Sequence, residues 1–146
     1  MDNIDVNIIN ELKAHGKMSV SEVSKRVNLS IPAVAERIKK LEQYHIIEKY
    51  TIKVNRKAMG QKLLVFLLLT IDGTENIEEF RTKVVRLTNV LECHHIAGQY
   101  DYLLKVLVKD TEDLEGFLMR KLKKIKGVSS SSTILCLSSL KEEINL

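Results

Sequence analysis

The chain has 146 residues, 45% of them hydrophobic, with a formal net charge of +4 and two cysteines. That is enough apolar material for a packed core in one domain or two small ones, and it excludes a disordered tail. No apolar run reaches the roughly 18 residues of a membrane-spanning helix, and "MDNIDVNIINEL" lacks the basic start and apolar centre of a signal peptide, so a cytoplasmic protein is expected. Cys93 and Cys136 lie in apolar, strand-like runs without CxxC spacing, which suits free thiols better than a disulfide framework. The charge is uneven. Residues 1–60 hold 11 Lys/Arg against 7 Asp/Glu, whereas residues 61–146 hold 12 of each. Between Lys17 and Lys57 the count is 10 against 4. A field localised in this way attracts a polyanion, and makes nucleic acid the leading partner for the first part of the chain.

In chain order, Ile4, Ile8, Ile9 and Leu12 recur at helical spacing, and His15-Gly16 is a natural stop. In "SVSE" Ser19 and Glu22 form a capping box, predicting a short helix over about Val20 to Val27. "NLS" then makes a turn, Ser30 caps again, and Pro32 falls in the first turn of a third helix, where its missing amide hydrogen costs nothing. Val34, Ile38 and Leu41 are the buried stripe of that helix, which ends near Tyr44; its other faces carry Ala33, Glu36, Arg37, Lys39, Lys40 and Gln43. From Glu48 to Val54 polar and apolar residues alternate, predicting a strand. Three helices and a strand make a winged helix-turn-helix over 1–54, whose third helix is shaped to enter the major groove of duplex DNA.

"NRKAMGQK", 55–62, reads as a linker. Beyond it, over 63–146, come a strand at 62–71, a helix over about 77–87, strands at 90–97 and 101–108, a helix over about 112–125 and a strand at 132–138. Asn76 with Glu79, and Thr111, are the expected caps of the two helices. The order βαββαβ is that of a ferredoxin-like α+β domain with both helices on one face of an antiparallel sheet. "KLLVFLLLTI" is apolar on both faces, so the uncovered face is expected to pack on another subunit.

Other constellations carry little chemistry. Along a strand, Cys93 and His95 point one way and His94 the other, so only two of "CHH" can reach one metal, and no second Cys/His pair stands at zinc-finger spacing. No metal or cofactor is expected. Nothing in the pattern specifies an oriented base for a nucleophile, so no catalytic activity is expected. "VSSSST" (128–133) reads as a polar loop leading into the last strand, though its hydroxyls can line a pocket. In "AGQYDY" (97–102) Gly98 permits a sharp bend, and Asp101 either caps local amides or receives an ammonium group.

The first part matches in spacing from a leading Asp-x-x-Asp through "LS" to R-x-x-x-LE and II-x-x-Y; the second matches at Gly98, Tyr100, Asp101 and Tyr102 within "HHIAGQYDYLLKV". Over almost its whole length the chain resembles the Lrp/AsnC, or feast/famine, transcriptional regulators. The resemblance implies a DNA-binding N-terminal unit and a C-terminal unit that senses an amino acid and builds homodimers, which assemble into tetramers or octamers. On this reading Arg37, Lys39 and Lys40 neutralise phosphate, assisted by Lys25 and by Lys49 and Lys53 of the wing, while Ser30, Pro32, Ala33 and Glu36 lie at the base-facing start of the helix. The resemblance places the effector at Gly98 and Asp101, with Tyr100, Tyr102 and Thr133 as further lining. Glu36 and Pro32 depart from the usual family residues, as do Ala97 and Gln99 in the turn, so neither base preference nor effector identity carries over. Two other readings remain open: an architectural protein that wraps DNA with low specificity, and a small-molecule sensor partnering a metabolic enzyme.

Overall fold

A helix begins most readily where a side-chain oxygen meets its free first-turn amides. Asp2 does this for α1 (Asn3–Ala14), accepting from the Asp5 amide at 2.9 Å, while the Asp5 carboxylate accepts from the Asp2 amide at 3.0 Å. Ser19 and Glu22 form the expected box for α2 (Val20–Val27), and Ser30 accepts from the Ala33 amide to start α3 (Ile31–Gln43). Between α2 and α3, Asn28 adopts φ 54°, a left-handed conformation that asparagine tolerates, and the Leu29 amide reaches back to the Ser24 carbonyl. These features appear in a computed structural model that describes residues 1–143, in which the chain forms two compact units, one built on Met1–Lys53 and the other on Val54–Glu142. The first closes on Ile8, Val23, Val34, Ile38 and Leu41, the apolar stripes of the three helices.

The strand expected over 48–54 is absent: no strand is assigned there among the described residues, and Tyr50, Ile52 and Val54 are 56%, 73% and 53% exposed. Alternation supplies a strand-compatible pattern, but a strand also needs a neighbouring backbone to bond.

The second unit is an antiparallel sheet of β1 (Leu63–Ile71), β2 (Val90–His95), β3 (Tyr102–Val108) and β4 (Val128–Leu135), in the order β2-β3-β1-β4. Helices α4 (Ile77–Val84) and α5 (Thr111–Arg120) supply Phe80, Val84, Leu114 and Phe117 to a core with Val65, Leu67, Leu69, Leu104 and Val106, so both helices cover one face as expected. Helix caps differ from expectation. Asp110, not Thr111, caps α5 by accepting from the Asp113 amide, and a 3-10 turn over Thr74–Asn76 precedes α4. That turn already puts Asn76 in helical geometry, so its side chain donates to the Asp72 carbonyl at 2.7 Å, and Glu79 pairs with Lys83 instead. A Cβ on Gly127 would stand 2.6 Å from that of Asn76, a close approach only glycine permits. The last strand starts four residues earlier than expected: the serine run forms β4 itself, with Ser130, Ser131 and Ser132 paired to Thr70, Leu69 and Leu68. Serine has little strand propensity; the long apolar β1 imposes the pairing.

On the other face, Phe66, Leu68, Leu103, Leu107 and Ile134 share the surface with one charged centre. There Lys105 pairs with Glu92 at 3.1 Å and Glu142 at 2.8 Å. The carboxylates, Glu142 first, raise the lysine's pKa.

Candidate nucleic-acid interface and sensing turn

The paired caps and the Asn28 turn hold α2 and α3 as a helix-turn-helix. Ser30, Pro32, Glu36, Lys39 and Lys40 are exposed on α3 and Lys25 on α2, whereas Ala33 is half-buried. Lys40 lies 3.8 Å from Glu36, one turn back, a loose exposed pair that leaves the ammonium accessible. Lys49 and Lys53 are exposed in the extended segment after α3.

Arg37 differs from its neighbours. Its Nη1 donates to Asp5 at 2.7 Å and to both oxygens of Asp2, at 2.9 and 3.1 Å. The guanidinium therefore closes the capping box of α1 and ties that helix to α3. Asp2 is held below the usual carboxylate range by the Asp5 amide and then by Arg37; Asp5 is lowered by the Asp2 amide and then by Arg37. Arg37 is correspondingly raised, Asp5 contributing most. All three contacts use Nη1, and the guanidinium that makes them carries the charge by which two helices of the first unit are joined. Met1, Asp5, Ala33, Glu36, Arg37 and Lys40 border a groove of about 460 Å³ beside the junction. Behind α3, Glu42 accepts from the Tyr50 hydroxyl at 2.8 Å, and partial burial followed by this carboxylate pushes the phenol up to about 12.

These contacts account for the spacing signature: Asp-x-x-Asp meets the arginine of R-x-x-x-LE, and the glutamate of that motif meets the tyrosine of II-x-x-Y. The Asp2–Asp5 box was legible as two acids three apart before an apolar stripe. The reach of Arg37 across more than thirty residues was not.

In the second unit the turn between β2 and β3 projects Gly98 with φ 155°, and apart from its two chain neighbours no described residue comes within 4 Å of where a Cβ would stand. Asp101 is half-buried: its Oδ2 accepts from the Ile71 amide at 2.8 Å, its own amide donates to the Leu69 carbonyl, and its carbonyl accepts from the Ile96 amide. It thus pins the turn to the end of β1, a long-range version of the capping alternative, and among the described residues Oδ1 has no hydrogen bond. Tyr100 is half-buried beside it. Tyr102 is 3% exposed, packed against Phe80 at 4.7 Å and stacked on His95 at 5.0 Å. Its hydroxyl accepts from Arg81 Nε at 2.7 Å, and its ring is part of the core of the second unit. Thr133 is exposed on β4 opposite Leu67, whereas the turn joins β1 at Leu69 and Ile71. Cys93 and Cys136 are free and half-buried, and burial pushes the Cys93 thiol up. Among the described residues no group of three or more His, Cys, Asp or Glu side chains is placed to hold a metal ion.

With this geometry established, residues 1–42 match the AsnC-type helix-turn-helix domain and residues 64–146 match the Lrp/AsnC ligand binding domain. The chain belongs to the Lrp/AsnC family. It is 36% identical over 148 residues to the leucine-responsive regulatory protein of Escherichia coli K12, covering 100% of this chain and 90% of that protein. A transcriptional regulator of Neisseria meningitidis, solved as its L-Met complex, superimposes with a TM-score of 0.95 at 26% identity, covering 100% of this chain and 96% of that one. An AsnC family transcriptional regulator from Agrobacterium tumefaciens gives 0.93 at 26% identity with the same coverage. As an Lrp/AsnC-type transcriptional regulator, this chain pairs a helix-turn-helix with a ligand-binding domain. No helix among the described residues is long and apolar enough to cross a membrane.

Proposed function

We propose that this Lrp/AsnC regulator acts in the cytoplasm, without catalysis, as a homo-oligomer that grips duplex DNA with α3 and responds to an amino acid at the 96–101 turn. The observation that carries the DNA reading is the rigid α2–α3 pair with Lys39 and Lys40 exposed on α3 and held by at most one loose pair. Lys25, Lys49 and Lys53 extend the phosphate contact; Ser30, Pro32, Ala33 and Glu36 stand at the base-facing end. Arg37 is assigned to holding α3 in place.

An α-amino acid offers an ammonium, a carboxylate and a side chain, and its site needs an acceptor, donors and a wall. Asp101 retains Oδ1 as the acceptor, the backbone around Gly98 offers amides without side-chain cover, and Tyr100 is the adjacent wall. One chain leaves this turn open, so the remaining lining is assigned to a second copy. The apolar face around Phe66, Leu103 and Ile134 is where we place the dimer contact, because burying it removes contiguous apolar surface from water. Tetramers or octamers then form from dimers.

The test is titration of the purified protein on genomic DNA fragments across a salt series, with and without each amino acid, reading both affinity and complex size. Sequence-selective binding whose salt slope falls by about 1 on Lys39→Ala is expected. An unaltered slope removes Lys39 from the phosphate contacts. Ligand occupancy moves an assembly equilibrium only by favouring one state, so Asp101→Ala is expected to abolish any amino-acid effect on size and affinity while effector-free DNA binding persists. Undiminished binding of the amino acid by Asp101→Ala, measured by calorimetry, rejects this turn as the site. Ile134→Asp is expected to shift the protein toward monomers, and an unchanged mass rejects that face as the dimer contact.

A further inference from the structure

Residues 120–126 read Arg-Lys-Leu-Lys-Lys-Ile-Lys, five cations and no acid in seven positions. The even charge balance of residues 61–146 hides this cluster, because the acids gather elsewhere, at the starts of α4 (Glu78, Glu79) and α5 (Glu112, Asp113). At the end of α5 the chain passes into a 3-10 turn over Leu122–Lys124. Three residues complete one turn of such a helix, so positions i and i+3 share a face. Leu122, 0% exposed, and Ile125, 5% exposed, are that pair, and both sit in the core of the second unit. The five remaining positions are left outside, and every one of them is an exposed cation.

A favourable interaction with the dipole of α5 reaches only its last turn, which accounts for Arg120 but not for the three lysines that follow the 3-10 turn's first residue. Nor does ion pairing account for them. Lys121 donates to the neutral Asn89 Oδ1 at 2.7 Å. Lys126 acts on Glu79, but that carboxylate is already held by Lys83 at 2.6 Å. Among the described residues Lys123 and Lys124 have no ion pair or hydrogen bond. The array is therefore an unneutralised cationic surface fastened to the core by two apolar anchors, so presenting it requires no ordering of backbone on binding.

We propose that Arg120–Lys126 is a second, sequence-independent phosphate-binding surface for the DNA held by the helix-turn-helix. This rests on the DNA-binding reading of the first unit. Duplex DNA is a dense line of charge, about one negative charge per 1.7 Å of axis, and a rigid cluster of ammonium and guanidinium groups gains by releasing its condensed counterions. Because both units lie on one chain, DNA gripped by the first raises the local phosphate concentration around the second. A lipid surface fits less well, since Met119 is the one exposed large apolar side chain in 119–127, and surface-seeking basic segments need an apolar face to bury.

The experiment uses the full-length chain carrying Lys123→Gln, Lys124→Gln and Lys126→Gln together, with Leu122 and Ile125 untouched. Binding to fragments extending well beyond the protected site is measured across a salt series, beside the unmutated protein and Lys39→Gln. The triple variant is expected to keep its melting temperature and base preference while its log–log salt slope shrinks by up to about 2.7, each lost phosphate contact removing about 0.9. An unchanged slope and affinity overturn the proposal. If Lys39→Gln lowers the slope and the triple variant does not, the helix-turn-helix reading stands and this inference alone fails. If the unmutated protein shows no salt-dependent DNA binding, both fail. Vesicles containing phosphatidylserine provide the last arm: vesicle binding lost in the triple variant with DNA binding intact assigns the surface to membranes and overturns the proposal.

Discussion

Among the described residues the helix-turn-helix unit closes on a cluster of five buried apolar side chains, whereas the ligand-binding unit packs a cluster of thirteen against its four-stranded sheet. The difference shows in what each uses to hold its shape. With a small core, the first unit depends on polar devices at helix ends: two reciprocal boxes, the Ser30 cap, the left-handed Asn28 and the Arg37 tie between α1 and α3. The second has most of its strength in sheet pairing and in Phe80 and Phe117 pressed on the sheet, with polar contacts confined to places such as the Asp101 turn and the Arg81–Tyr102 bond. A small domain buries a smaller share of its surface, and the specificity of its caps then decides whether the helices meet in the right order.

The contrast is sharpest under substitution. Phe80→Ala removes a ring that is fully buried between α4 and the sheet, and is expected to cost about 3–5 kcal/mol in the second unit. Hydrogen exchange read unit by unit is the check: protection in α1–α3 should persist while that of β1 and β3 falls, and equal losses in both would show that the units do not unfold separately. A cap change reverses the pattern. Ser30→Ala is expected to cost about 1 kcal/mol, confined to the first unit, and to weaken DNA binding by loosening the first turn of α3.

Acid provides a milder probe of the same difference. Asp2 and Asp5 have folded values below their ordinary ones, so the stability they contribute is present above about pH 4 and lost as pH falls through the lowered values. Arg37→Met is expected to flatten that acid dependence in the first unit and lower its melting temperature, while leaving the salt slope of DNA binding intact. A slope reduced by about 1 would restore Arg37 to the phosphate contacts. The smallest expected change is for Tyr50→Phe. It removes an exposed hydrogen bond and should leave stability within a few tenths of a kcal/mol, while eliminating from ultraviolet titration the phenol that ionises near 12.

Local signals made much of this protein legible. Ser19 with Glu22, Ser30 with Pro32, and the stripe Val34, Ile38, Leu41 placed the helix-turn-helix nearly to the residue, because capping and helical periodicity are satisfied within four residues of chain. The βαββαβ order followed from runs such as "KLLVFLLLTI", and the family from motif spacing. Expectation failed where a partner distant in sequence decides. Among the described residues no strand lies beside the 48–54 alternation; the serine run became a strand because β1 needed one; Asn76 turned from capping to closing a loop against Gly127. Tyr102 belonged to a motif, but only packing beneath Phe80 reveals that its hydroxyl is engaged by Arg81.

By itself, then, the sequence determined the helices, the caps of α2 and α3, the order of strands and the confinement of excess charge to the first half, all of which depend on neighbours along the chain. Only the tertiary structure decided which cations are free. Arg37 and Lys39 are equally charged and two residues apart, yet helix geometry turns the first toward Asp2 and Asp5 on α1 and leaves the second exposed. Likewise the row 120–126 becomes a surface because Leu122 and Ile125 are drawn into a core assembled from four strands and two helices. A charge acquires its role from the dielectric and the partners around it, and those are set by segments that folding brings together from far apart in the chain.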